Sequence, residues 1–228
     1  MARIINNLII LDFDGVIADS EVLANEVLAE AMTELGVPTT LHDAYRLFVG
    51  KRFAEVMATV EAALGRELPE DFPERLQART LARFRQELRP VNGAVGYIRA
   101  FSHIPRCIAS SSLPTRLTLC LELLGLEDEF GPHVYSASMV ARGKPHPDIF
   151  LYAAERMGAA CADTIVVEDS PSGVQAALAA GMTVIGLLAA SHIQTGDDEL
   201  LRSAGAHHVA SSFADAEEIT RGLLAKTA

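Results

Sequence analysis

Leu8-Ile9-Ile10-Leu11 is an unbroken apolar run that stops at Asp12-Phe13-Asp14-Gly15. A short run of this kind, closed by a turn signal, predicts a strand buried on both faces. Past Gly15 the apolar spacing turns helical. Leu23, Val27, Leu28, Met32 and Leu35 recur on one helical face, with Ser20 as the expected N-cap and Gly36 as the stop. Further helices are predicted over 41–49, 53–64 and 73–88, Pro69 and Pro73 suiting the first turns of the last. No strand is predicted between Ile17 and Leu88. The turn residues of Arg89-Pro90-Val91-Asn92-Gly93 then bring a new rhythm, strand alternating with helix. Strands are expected at 106–109, 133–136, 164–167 and 183–186, with a weak one at His208-Val209. Helices are expected from the serines after 109 to Gly125, then over 149–157, 173–180 and 213–224. This alternation predicts an α/β fold, a parallel sheet covered by helices on both faces, with an all-helical block placed after its first strand.

Composition narrows the function classes. At 228 residues the chain can hold one large domain, or a domain carrying a smaller inserted one. Its net charge of −11, from 19 basic and 30 acidic residues, argues against a broad nucleic-acid or anionic-membrane surface. A small anionic substrate responds to local charge and stays open. Cys107, Cys120 and Cys161 form no metal-ligand spacing and read as reduced thiols filling the core. No signal-peptide pattern precedes the first strand, and no apolar run approaches membrane-spanning length, so a soluble cytoplasmic protein is expected.

The polar residues that change the picture sit where strands end. In open parallel sheets ligands bind beyond the carboxyl ends of the strands, and Asp12 and Asp14 fall there. Two acids so spaced can share a cation, or divide labour as nucleophile and proton donor. Ser110-Ser111-Ser112 follows the second core strand, and hydroxyls with free amides at a strand-to-helix turn can bind an anion. A serine run is also a common helix cap. In Gly143-Lys144-Pro145-His146-Pro147-Asp148 two prolines are expected to hold Lys144 in an extended segment, where it can neutralise a phosphate or a carboxylate; the alternative is a solvated loop lysine. His146 is read as a loop residue without chemistry. Glu168-Asp169 ends another apolar run. Four carboxylates near one point of a sheet repel and raise one another's pKa values, and a hard divalent cation such as Mg²⁺ resolves the conflict. A cation, a lysine, a hydroxyl-rich anion pocket and a spare aspartate form a complete set for phosphoryl transfer.

Taken in order, Asp12-Phe13-Asp14-Gly15-Val16, Ser110, Lys144 in Gly-Lys-Pro-His-Pro-Asp, and Glu168-Asp169-Ser170 with Gly173 resemble the motifs of the haloacid dehalogenase superfamily, in its phosphatase and phosphomutase branch. Within it the sequence is similar to the β-phosphoglucomutase-like group and to bacterial sugar-phosphate phosphatases of the 6-phosphogluconate phosphatase type. The resemblance implies a Rossmann-like core over 1–15 and 90–228, with an inserted helical cap domain over 16–89. It also implies that Asp12 becomes an aspartyl phosphate and that Asp14 protonates the leaving oxygen, then deprotonates water. Asp12, the Asp14 carbonyl and Asp169 would hold Mg²⁺, with Glu168 a ligand or an outer partner. Ser110 and the Ser111 amide would bind phosphoryl oxygens, and Lys144 would bridge Asp12 and phosphate.

Val49-Gly50-Lys51-Arg52 is placed like the family's substrate-specificity loop, so that Lys51 and Arg52 would meet a second anionic group; otherwise they are solvated cations. Mutases of this group carry a histidine soon after the Asp-Gly turn, whereas Glu21-Val22-Leu23-Ala24-Asn25 has none. Hydrolysis of a small phosphorylated metabolite is therefore expected ahead of a phosphomutase activity. A 2-haloacid dehalogenase needs neither Asp14 nor the Glu168-Asp169 pair, and a non-enzymatic phospho-accepting module would lack the inserted helices. The expected protein is a monomer or homodimer without nucleic-acid or membrane partners.

Overall fold

The computed structural model describes residues 7–48 and 53–226. Six strands form one sheet in the order β3-β2-β1-β4-β5-β6, every neighbouring pair parallel. They are β1 (Leu8–Leu11), β2 (Arg106–Ser110), β3 (Val134–Ser136), β4 (Thr164–Glu168), β5 (Thr183–Leu187) and β6 (His208–Ala210). The period-2 alternation of a strand explains why β1 is apolar throughout. Ile9 and Leu11 face α5 (Ala94–Ala100), α6 (Pro114–Leu124) and α11 (Phe213–Leu224), packing with Ile98, Leu117 and Phe213. Leu8 and Ile10 face α8 (Asp148–Met157) and α9 (Pro171–Ala179), packing with Ile149, Phe150 and Val174. This is the expected parallel sheet with a helical layer on each side.

Between β1 and α5 lie α1 (Glu21–Glu34), α2 (Leu41–Phe48), α3 (Phe53–Leu64) and α4 (Phe72–Glu87), with no strand among the described residues. They enclose a core of their own from Val27, Met32, Ala44, Phe48, Val60, Phe72 and Leu76. Arg79 and Arg83 of α4 reach Glu26, Glu30 and Glu34 of α1 in partly exposed ion pairs, each worth at most about 1 kcal/mol. The two connections to the sheet run side by side: the Asp19 amide donates to the Arg89 carbonyl at 3.0 Å, and the Val91 amide to Ile17 at 2.9 Å. Phe84 and Leu88 pack on the sheet side, so the end of α4 joins the larger core.

Several expectations need correcting. Ser20 precedes α1 but makes no side-chain cap; its hydroxyl donates instead to Asp14. The Lys144 segment is a turn rather than extended: Lys144-Pro145 is cis, and the His146 amide donates to the Gly143 carbonyl at 2.9 Å. Strands β2 and β4 run one residue further than the apolar pattern, to Ser110 and Glu168, because both polar residues still pair in the ladder, with Ser136 and Gly186. The helices α5, α7 (Glu127–Phe130) and α10 (Asp197–Ser203) are too short to show a helical period. Among the described residues no helix is long and apolar enough to cross a membrane.

Candidate active site

The carboxyl ends of β1, β2 and β4 meet at one point. Leu11 pairs with Ile108 on one side and Val167 on the other, so Asp12 emerges between Ala109 and Glu168. The Asp12 amide still donates to Val167 at 3.0 Å, which fixes the start of its turn. Asp12, Glu168 and Asp169 each place a carboxylate oxygen within 4.8 Å of the others, and all three are buried. Burial raises the Asp12 pKa well above the usual carboxylate range; the Lys144 charge opposes this, and Glu168 and Asp169 add to it. Asp169 is raised as well, by burial foremost, although His192 pulls it back. Carboxylates crowded in this way need positive charge, and hard oxygen donors at this spacing fit Mg²⁺.

Part of that charge comes from Lys144. Its Nζ donates to Asp12 Oδ1 at 2.7 Å, Glu168 Oε1 at 2.6 Å and the Ala109 carbonyl at 3.1 Å. Burial disfavours the ammonium, yet Asp12 and Glu168 outweigh it and raise the Lys144 pKa. Lys144 is therefore no solvated loop lysine. Glu168, fully buried, has both oxygens engaged, since Oε2 accepts from the Ser170 amide and hydroxyl, each at 2.9 Å. Gly173 explains how this fits beneath α9: a Cβ there would stand 1.7 Å from Glu168 Oε1. Ser170 also caps α9 by accepting from the Gly173 amide.

Asp14 has a different set of partners. Its carboxylate accepts from Ser20 Oγ and Ser112 Oγ, each at 2.5 Å, and from the Arg116 guanidinium. Burial disfavours its charge, but Arg116, Ser112 and Ser20 together hold its pKa below the usual range. Arg116 also lies 4.8 Å from the ring centroid of Phe84, so it joins the helical block to Asp14. Ser110 is buried at the end of β2, where its Oγ accepts from the Ser112 amide at 3.0 Å. Asp12, Asp14, Arg116, Lys144, Glu168 and Asp169 line one cavity of about 140 Å³, together with the polar Ser111, Glu21 and Asn25 and the apolar Leu28, Phe48 and Phe53. Lys51 and Arg52 lie outside the described residues.

Sequence reasoning missed Arg116, Glu21 and His192, and read Ser112 as part of an anion pocket rather than as a partner of Asp14. His192 Nε2 stands 3.2 Å from Asp169 Oδ2. Glu21, in the first turn of α1, has its carboxyl pushed up to about 7, mainly by burial and then by the Asp14 charge. A carboxyl raised on folding stabilises fully only below its unfolded value of 4.5, and that contribution is lost as pH rises through about 7. Glu21→Gln should therefore gain stability relative to wild type across this window and nothing below it. Urea melts at pH 4 and pH 8 check this; a constant difference between the two would contradict it.

The profile of the family described as haloacid dehalogenase-like hydrolase matches residues 7–181. The 6-phosphogluconate phosphatase of Escherichia coli K12 is 27% identical over 185 residues, covering 81% of this chain and 83% of its own. A phosphorylated carbohydrates phosphatase of Thermotoga maritima is 30% identical over 178 residues, covering 76% of this chain and 81% of its own. Among solved structures, a conserved haloacid dehalogenase-like protein of unknown function from Agrobacterium tumefaciens superposes with a TM-score of 0.81 at 34% identity, over 96% of this chain and 99% of that one.

Proposed function

We propose, from the premise that the chain belongs to the haloacid dehalogenase-like hydrolase family and is a phosphatase within it, that it hydrolyses a small phosphorylated carbohydrate through a covalent phosphate on Asp12. The observation that carries this reading is Lys144 Nζ, 2.7 Å from Asp12 and 2.6 Å from Glu168, beside a carboxylate cluster able to hold a cation. The likeness to the 6-phosphogluconate phosphatase and the phosphorylated carbohydrates phosphatase supports a sugar-phosphate substrate.

In this reading an Asp12 carboxylate oxygen attacks phosphorus as the bond to the leaving oxygen breaks, and Asp14 delivers a proton to that oxygen. Water then attacks the aspartyl phosphate, Asp14 takes the proton, and Asp12 is regenerated with release of inorganic phosphate. Asp12 and Asp169, with the Asp14 carbonyl, would hold Mg²⁺, whose charge offsets the repulsion between an anionic nucleophile and an anionic phosphate. Glu168, occupied by Lys144 and Ser170, acts chiefly as the brace that sets Lys144. Ser110 and the Ser111 amide face the phosphoryl oxygens at the end of β2. Asp14 is held ionised by Arg116, so it must leave that contact and take up a proton before serving as the acid.

The test is release of inorganic phosphate from a panel of phosphomonoesters, with and without Mg²⁺. Hydrolysis of sugar phosphates only in the presence of Mg²⁺ is expected; chloride release from haloacids, or isomerised sugar phosphate without free phosphate, would reverse the reading. In the same assay Asp14→Asn should lower kcat by about 10²–10⁴-fold, the usual worth of a positioned general acid–base. Alanine at both Lys51 and Arg52 should raise KM for an acidic sugar phosphate and leave kcat close to wild type. An unchanged KM removes these two residues from the substrate site.

A further inference from the structure

Asp169 Oδ2 is enclosed from two directions. Gly15, at φ +78, approaches so closely that a Cβ there would stand 1.8 Å from this oxygen, and 2.9 Å from His192 Cε1. His192 Nε2 lies 3.2 Å from the same oxygen. No hydrogen bond from a described residue reaches the other oxygen, Oδ1. His192 is itself buried and stands in the irregular segment after β5, where no helix or strand orders it. That segment is pinned by its neighbour: the Ser191 amide and hydroxyl both donate to Asp19 Oδ1, at 3.0 and 2.8 Å. Asp19 belongs to the connection between β1 and α1, and its own amide is tied to the return connection at Arg89.

We propose that His192 is a positioning residue for the metal site: it holds Asp169 by Oδ2 so that Oδ1 is presented to Mg²⁺, and the Asp19–Ser191 contact fixes His192 from the connection that leads into the helical block. This rests on the reading that Asp169 binds Mg²⁺. A partner that orients a metal-binding carboxylate commonly sets affinity without touching the ion. Gly15 supplies the other wall, which is why the turn after Asp14 tolerates no side chain here.

The test is calorimetric titration of MgCl₂ into the substrate-free protein, with thermal unfolding in EDTA as the control for folding. His192→Leu should weaken Mg²⁺ binding by about 10–100-fold. His192→Gln, whose amide nitrogen can reach the same oxygen, should recover most of that loss. Alanine at both Asp19 and Ser191, which are partly exposed or exposed, should weaken binding several-fold through release of the loop. Wild type that fails to bind Mg²⁺ overturns the metal reading and this inference with it. Wild type that binds, with His192→Leu unchanged, overturns this inference alone. Should the leucine variant not fold, a folded His192→Gln variant that binds about 10–100-fold more weakly than wild type, or an Asp19/Ser191 variant with wild-type affinity, also overturns it.

Discussion

Asp12→Asn should abolish turnover, lowering kcat by about 10⁴-fold or more, while the protein folds normally. Asparagine preserves the shape of the side chain and the backbone bond to Val167, and Lys144 keeps Glu168 and Ala109 as partners. In the proposed mechanism what disappears is the nucleophilic carboxylate oxygen. Stability should move in the opposite direction to activity. Burial foremost, with the charges of Glu168 and Asp169, raises the Asp12 pKa in the folded protein, so its contribution is present in acid and lost as pH rises through the folded value. Asn carries no charge at any pH. In EDTA the variant should therefore gain on wild type as pH rises from 4 to 8. Thermal melts and phosphate release on the same samples check both halves; an inactive variant that is also unfolded would leave Asp12 a structural residue.

Lys144→Met should be the most destabilising single change at the site. The methionine fills the lysine's volume, but Asp12 and Glu168 lose the ammonium that lies within 2.7 Å of both. Stripping the partner from a buried charge costs about 3–5 kcal/mol. In the proposed reading Mg²⁺ binds only the folded protein, so saturating ion should recover about 2–4 kcal/mol, more the tighter it binds. Activity should fall by about 10²–10³-fold even when the protein is folded, as for other groups that stabilise charge in the transition state. Chemical denaturation with and without Mg²⁺ reads the first effect and steady-state kinetics the second. A variant as stable as wild type in EDTA would mean that Lys144 does not neutralise the two acids.

Much of this arrangement is legible in the sequence. An apolar run that stops at an acid is a buried parallel strand, and the fold brings such ends together, so Asp12, Ser110, Glu168 and Asp169 could be placed before any coordinates. The prolines around Lys144 are compatible with a buried lysine and with a solvated one; its burial against Asp12 depends on α8 packing on β1 and β2. The partners of Asp14 were hidden for a physical reason. Arg116 lies within a helical pattern where one charge reads as solvent-facing, and only the packing of α6 beneath Phe84 turns it inward. The sequence points Ser20 to a cap because side-chain oxygens before a helix commonly serve that end; the buried Asp14 carboxylate is the stronger acceptor. His192 carries no local signal at all, standing in a segment without periodicity. Short helices such as α5 and α7 fail for the same reason, since one or two turns contain too few positions to show a period.

In the proposed mechanism phosphate passes through a covalent bond to Asp12. Quenching the enzyme in acid during turnover of a sugar phosphate, then mapping its peptides by mass spectrometry, reads that bond directly. A phosphoryl group is expected on the peptide bearing Asp12 and on no other. Full Mg²⁺-dependent turnover with that peptide unmodified at every quench time, or with the phosphate found elsewhere, would contradict it.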